Sequence, residues 1–147
     1  MARRIATIVF LLAGCLCFVA TGVLAGSSAK QKTFAPKDCS KPRVKPTRIV
    51  LACGDFGLYV RPKHWSLWGH KTARGRGLLR ANECNPSSSC GPSQFKRYHV
   101  RFRLSHVRNK TCGGRQVHLF TKIHLRFDHR KPSYAHRIRD SRLFCNP

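Results

Sequence analysis

Tyr98-His99-Val100-Arg101-Phe102-Arg103-Leu104 alternates apolar and basic residues with a period of two. Successive side chains of a strand point to opposite faces, so this pattern is a half-buried β-strand, with Tyr98, Val100, Phe102 and Leu104 turned inward. The stretch from Gln116 to Phe127 repeats the pattern. One face carries Val117, Leu119, Thr121, Ile123, Leu125 and Phe127. The other carries Gln116, His118, Phe120, Lys122, His124 and Arg126, with Phe120 as its one apolar member. Gly113-Gly114 lies between the two runs, in a connection long enough for a loop hairpin.

Working outward, Arg48 to Cys53 is a short β-rich run stopped by Gly54-Asp55. Leu58-Tyr59-Val60 reads as its return strand. It should end at Arg61-Pro62, because Pro62 has no amide hydrogen to give a ladder. Lys71 to Asn82 is polar and holds Gly75 and Gly77, which suggests a bent or edge strand. Glu83 to Pro92, with Cys84, Pro86, Cys90 and Gly91, reads as a stapled loop. No stretch shows a 3.6-residue period. The expectation is a small antiparallel all-β domain, a sandwich or open barrel, over residues 47–127. A flexible basic arm over 26–46 and a basic tail over 128–147 should flank it.

The chain of 147 residues carries 29 Lys+Arg against 5 Asp+Glu, a formal charge of +24. That imbalance argues against an ordinary neutral cytosolic enzyme and favours a negatively charged partner. With 41% hydrophobic residues the chain is too apolar for a disordered basic tail. Arg3 and Arg4 precede the uncharged run Ile5 to Ala25, and Val23-Leu24-Ala25 offers a cleavage site, so residues 1–25 read as a secretory signal. Two other fates fit the same run: lipidation at Cys15 within Leu12-Ala13-Gly14-Cys15, or retention as an anchor. Each places the folded part outside the cytoplasm. Beyond the signal stand Cys39, Cys53, Cys84, Cys90, Cys112 and Cys145, an even set that reads as three disulfides. Their pairing is open. A Cys39–Cys145 bridge would tie the two ends to the core, and closing so long a loop could stabilise by about 4–5 kcal/mol.

Leu51-Ala52-Cys53-Gly54-Asp55, His64-Trp65-Ser66-Leu67-Trp68-Gly69 and Asn82-Glu83-Cys84-Asn85-Pro86 with Cys90-Gly91 follow an ACxD, W-S-x-W-G and C-x-P-x-C order. In these motifs the chain resembles a family of small exported actinobacterial proteins, over about the middle half of the mature sequence. That family has no assigned activity or catalytic residues. The resemblance therefore implies export and a disulfide-stapled domain. The chain departs from the pattern in Ser87 to Ser89, in its stronger basicity, and in the added Cys39, Cys112 and Cys145.

If the two alternating strands pair, Arg97, His99, Arg101 and Arg103 lie beside His118, Lys122, His124 and Arg126 on the solvent side. Like charges opposite each other destabilise a sheet, so solvent, salt or an anionic ligand must compensate. Anionic polymers and membrane or envelope surfaces suit such a face, with nucleic acid held without base reading. Protonation of the eight histidines near pH 6 should strengthen such binding. Trp65 and Trp68 could stack on bases or sugars, but Gly69 after them favours core packing. His64 and His70, and His129 and His136, miss the usual ligand spacings, so no metal is expected; no cofactor motif is present either. Asn109-Lys110-Thr111 has the form of a glycosylation sequon but carries no expectation in a bacterial export context. The enzymatic rival is a secreted ribonuclease using His99, His118 and Lys122, with Glu83 as the only glutamate. A cationic membrane-active factor is a second rival. The favoured expectation is an exported binding module without catalysis.

Overall fold

The computed structural model describes residues 31–54, 56–83 and 95–147. The signal, Cys15 and the Cys84–Cys90 segment lie outside the described residues. The strands are β1 (Thr33–Pro36), β2 (Pro42–Arg43), β3 (Ile49–Val50), β4 (Leu58–Trp68), β5 (Ala73–Asn82), β6 (Phe95–Cys112), β7 (Arg115–Phe127) and β8 (Asp140–Arg142). One short helix, α1 (Ala135–Ile138), precedes β8. The strands form a single sheet in the order β2-β1-β7-β6-β5-β4-β3, with β8 pairing the free stretch of β7. All pairings are antiparallel except β1 with β7. The arm expected from the sequence thus supplies β1 and β2, and the tail supplies β8.

Among the described residues no helical layer covers this sheet, so its apolar face covers itself. It does so by curling into a half-barrel, which brings β1 against β3. Val60, Leu79, Ala81, Val100, Phe102, Leu104, Ile123 and Leu125 meet inside the curl in one cluster. Trp65 and Trp68 close the inner side, edge-on to each other with ring centroids 4.7 Å apart. Trp65 packs on Phe102 and Trp68 on Phe120. Both tryptophans are therefore packing residues. The Trp68 indole N–H donates to the Thr33 carbonyl at 3.2 Å, joining β4 to β1. Residues inside such a curl point away from solvent, and the alternate residues of each strand form its outer face.

The disulfides correct one sequence expectation. Cys39 pairs with Cys53, and Cys112 with Cys145. Cys39 and Cys145 are not joined. The Cys39 and Cys145 segments still meet, because the Asn146 amide donates to the Cys39 carbonyl at 2.5 Å. The Asn146 carbonyl in turn accepts from Gly113 N–H at 3.0 Å.

β4 runs on through Pro62 to Trp68, past the end at Arg61-Pro62 that the sequence suggests, with register irregularities after Pro62 and after Trp65. Gly113 and Gly114 have φ of 58° and 74°, so β6 and β7 join in a two-residue turn that needs left-handed backbone at both places. β6 is therefore 18 residues long. β5 is an interior strand, contrary to the edge position inferred from its glycines. Gly77 faces a β4 backbone bent by the register irregularity after Pro62. A Cβ there would collide with the Arg61 carbonyl and come within 2.9 Å of Pro62 Cα. Gly77→Ala should cost about 1–3 kcal/mol of overpacking, read as a lowered denaturation midpoint. A neutral result would show that β4 can move away.

Alternation changes phase halfway along the β6–β7 hairpin. Ser105 pairs Lys122 and Val107 pairs Phe120, so the register is kept, but His106 between them has φ of 55°. Past this point Val107 and Phe120 turn inward, and Phe120 is 0% exposed. That accounts for the one apolar residue on the basic side of the sequence pattern. Arg108 and Lys110 take over the outer face of β6, and Leu119, opposite Arg108, is covered on that side near Leu143 and Phe144.

Candidate anion-binding face

The outer face is built from three strands in register. Arg76, Arg101 and Arg126 form one row across β5, β6 and β7, and His64 on β4 extends it. Arg74, Arg103 and His124 form the next row. Neighbouring strands lie about 4.8 Å apart and rows on one face about 7 Å apart, so these cations are close neighbours. They line a groove of about 750 Å³ together with Ser66. That volume lies within the usual range for small-ligand sites.

Among the described residues two carboxylates reach this face, both from the β7 side. Asp128 accepts from Arg101 Nε at 2.7 Å. Asp140 on β8 lies 2.7 Å from His124 Nδ1. Among the described residues, Arg74, Arg76, Arg103 and Arg126 have no carboxylate within ion-pair distance. Each like-charge cross-strand pair opposes folding by a few tenths of a kcal/mol up to about 1 kcal/mol. An arginine fork binds phosphate or carboxylate through two parallel hydrogen bonds, so an anion in the groove would convert that repulsion into attraction.

Arg97, His99, Arg101 and Arg103 are all exposed on the outer face, as are Lys122 and Arg126; His124 is half-buried. The groove gathers Arg101, Arg103, His124 and Arg126. Arg97 lies farther along, opposite Arg80, and His99 is opposite Leu78. Lys122 belongs to an adjoining recess of about 440 Å³ with His106, Arg108, Lys110 and Arg142. His118 is the departure. It lies beyond the phase change, half-buried opposite Asn109 and beside Thr33 of β1. It is thus roughly 10 residues, or about 33 Å, along the hairpin from His99. His99 and His118 cannot serve one phosphate as acid and base.

Arg74, Arg76 and His64 were missed in the sequence. The signal was present in Arg74-Gly75-Arg76, which has the strand period, but glycine stood where an apolar residue would have marked the inner face. Gly75 is required there because a Cβ would lie 2.6 Å from the Phe102 ring.

Glu83 is engaged away from the groove. Its carboxylate accepts from the Tyr98 hydroxyl and pairs with Lys96 Nζ at 2.8 Å. Burial opposes its charge, but the bonds from Lys96 and Tyr98 prevail and hold its pKa below the ordinary carboxylate value. Burial, and then the hydrogen bond to Glu83, push the Tyr98 hydroxyl well above its ordinary 10.0. A lowered acid stabilises the fold above its unfolded pKa and loses that contribution as pH falls through the folded value; a raised one loses its contribution as pH climbs above the unfolded value. Stability should therefore fall below about pH 4.5 and again above about pH 10. Tyr98→Phe should flatten the alkaline limb of a melting-temperature profile; an unchanged limb would place its cause elsewhere.

Among the described residues no group of three or more His, Cys, Asp or Glu side chains could hold a metal, and no helix is long and apolar enough to cross a membrane. No family model, curated protein or solved structure matches this chain, so the groove and its arginines are the ground for any functional reading.

Proposed function

We propose that this is an exported, non-enzymatic module that binds anionic polymers or envelope surfaces through multivalent electrostatics. The observation that carries the reading is the set Arg74, Arg76, Arg103 and Arg126, crowded on one groove without carboxylate partners among the described residues. Such crowding is unfavourable in the free protein and favourable once an anion is bound. Export is supported by the hydrophobic run over residues 5–25 and by two disulfides, which persist in oxidising compartments. A ribonuclease built on His99, His118 and Lys122 loses support from their separation.

The test is salt-dependent binding of the purified protein to RNA, DNA, anionic vesicles and cell-envelope polymer, with RNA integrity followed in the same samples. Binding that weakens steeply with salt while RNA stays intact is the expected result. Salt-insensitive binding, or none at low salt, overturns the proposal, and RNA cleavage replaces it with an enzyme.

A further inference from the structure

The phase change at His106 has an effect on the outer face. Without it, strict alternation would turn Arg108 and Lys110 into the core. With it, Arg97, His99, Arg101, Arg103, Arg108 and Lys110 share one face of β6, with His106 exposed at the break. From Arg97 to Lys110 this stripe spans about 40 Å at roughly 3.3 Å per residue. Arg74, Arg76 and Arg80 on β5 border one side. Arg126, His124 and Lys122 on β7 border the other. The two acids that touch these cations, Asp128 and Asp140, approach from the β7 side. On the β5 side Glu83 follows the strand, but it is held by Lys96 and Tyr98.

A long, narrow row of cations matches a chain of negative charges better than a single compact ion. We propose, on the basis of the anion-binding reading above, that β6 is a track for a flexible linear polyanion with phosphodiester-type charge on each repeat, laid along the strand from Arg97 to Lys110. The predominance of arginine suits phosphate, whose oxygens match the guanidinium fork. Recognition is of the charged backbone. Trp65, Trp68, Phe102 and Phe120 pack edge-on against one another inside the curl, so these rings are turned away from the track; exposed Phe144 shares only the recess at its Arg108–Lys110 end. A flat lipid surface would contact only part of a curled outer face, whereas a flexible chain can follow it.

The test uses the purified protein with oligothymidylates and oligoadenylates of about 4 to about 24 nucleotides, inorganic polyphosphate, and vesicles of phosphatidylglycerol. Nucleic acid and polyphosphate separate two sources of the same chemistry. Affinity should rise with length and level off once the oligomer spans about 40 Å, equally for the two bases. With seven cations engaged (Arg97, Arg103, Arg108 and Lys110 on the stripe, with Arg74, Arg76 and Arg126 beside it), the slope of log affinity against log salt should approach about −5. The double variants R97Q/R103Q and R108Q/K110Q alter exposed residues in opposite halves of the track. Each should weaken the longest oligomer at least about tenfold and lower the slope by about 1.4, with melting temperature as the check on folding. Length-independent affinity, or sensitivity to only one variant pair, would overturn the track in favour of one compact site. Vesicle binding without oligomer binding would overturn it while leaving the broader anion-binding function standing. Failure to bind any probe at low salt would remove both.

Discussion

Replacing Phe120 with alanine should destabilise the protein by about 3–5 kcal/mol, the usual cost of emptying a core phenylalanine site. Strict alternation from Gln116 to Phe127 puts Phe120 on the basic, solvent-facing side, where truncation would cost little. The structure puts it at 0% exposure, with its ring perpendicular to Trp68 at 5.6 Å between centroids. The two readings differ by several kcal/mol, which is a large share of the 5–15 kcal/mol typical of a domain. Chemical denaturation of the F120A variant decides between them. A loss under about 1 kcal/mol would mean that the hairpin does not switch faces at His106, and the continuous cation stripe on β6 would fail with it. A His106→Gly variant gives an independent reading. Glycine adopts φ near 55° without strain, so that variant should be neutral or slightly stabilising, whereas in a regular strand the same change would destabilise.

The sequence held more of the strands than of their arrangement. Alternation identified the first half of β6 and most of β7, because period-two burial leaves a direct mark on composition. It failed where the backbone departs from regular pleating. From Arg97 the basic residues of β6 hold odd positions through Arg103 and even ones from His106 onward, and that shift is visible only when the break at His106 is allowed. β5 looked like a bent or edge strand because glycine usually weakens a strand interior, and only the edge position is overturned. Here close approach of the β4 backbone and the Phe102 ring leaves no room for a side chain. β1 and β8 were unreadable for a different reason. Both are short segments whose strand character comes from pairing β7, far away in the chain. Cystine connectivity was likewise a matter of tertiary placement, so the Cys39–Cys145 guess joined the correct regions through the wrong atoms.

Replacing Arg74, Arg76, Arg103 and Arg126 together with glutamine should move binding and stability in opposite directions. Removing four phosphate-facing cations should lower the salt slope by about 3 and the affinity for a long single-stranded polyanion by on the order of 100-fold near physiological salt. The same change relieves the like-charge pairings Arg74–Arg103, Arg76–Arg101 and Arg101–Arg126, so the melting temperature at low salt should rise by a few degrees. Added salt screens that repulsion in the parent protein, so the gap in melting temperature should close as salt increases. These opposite signs separate a binding surface from a merely solvated one. Arginines kept for structure, through stacking or packing of their stems, would make the variant less stable. Arginines that only provide solubility would leave affinity for polyanions within a few-fold of the parent. Weaker binding by a more stable protein is the combination expected of a face that folds against its own charge and is completed by an anion.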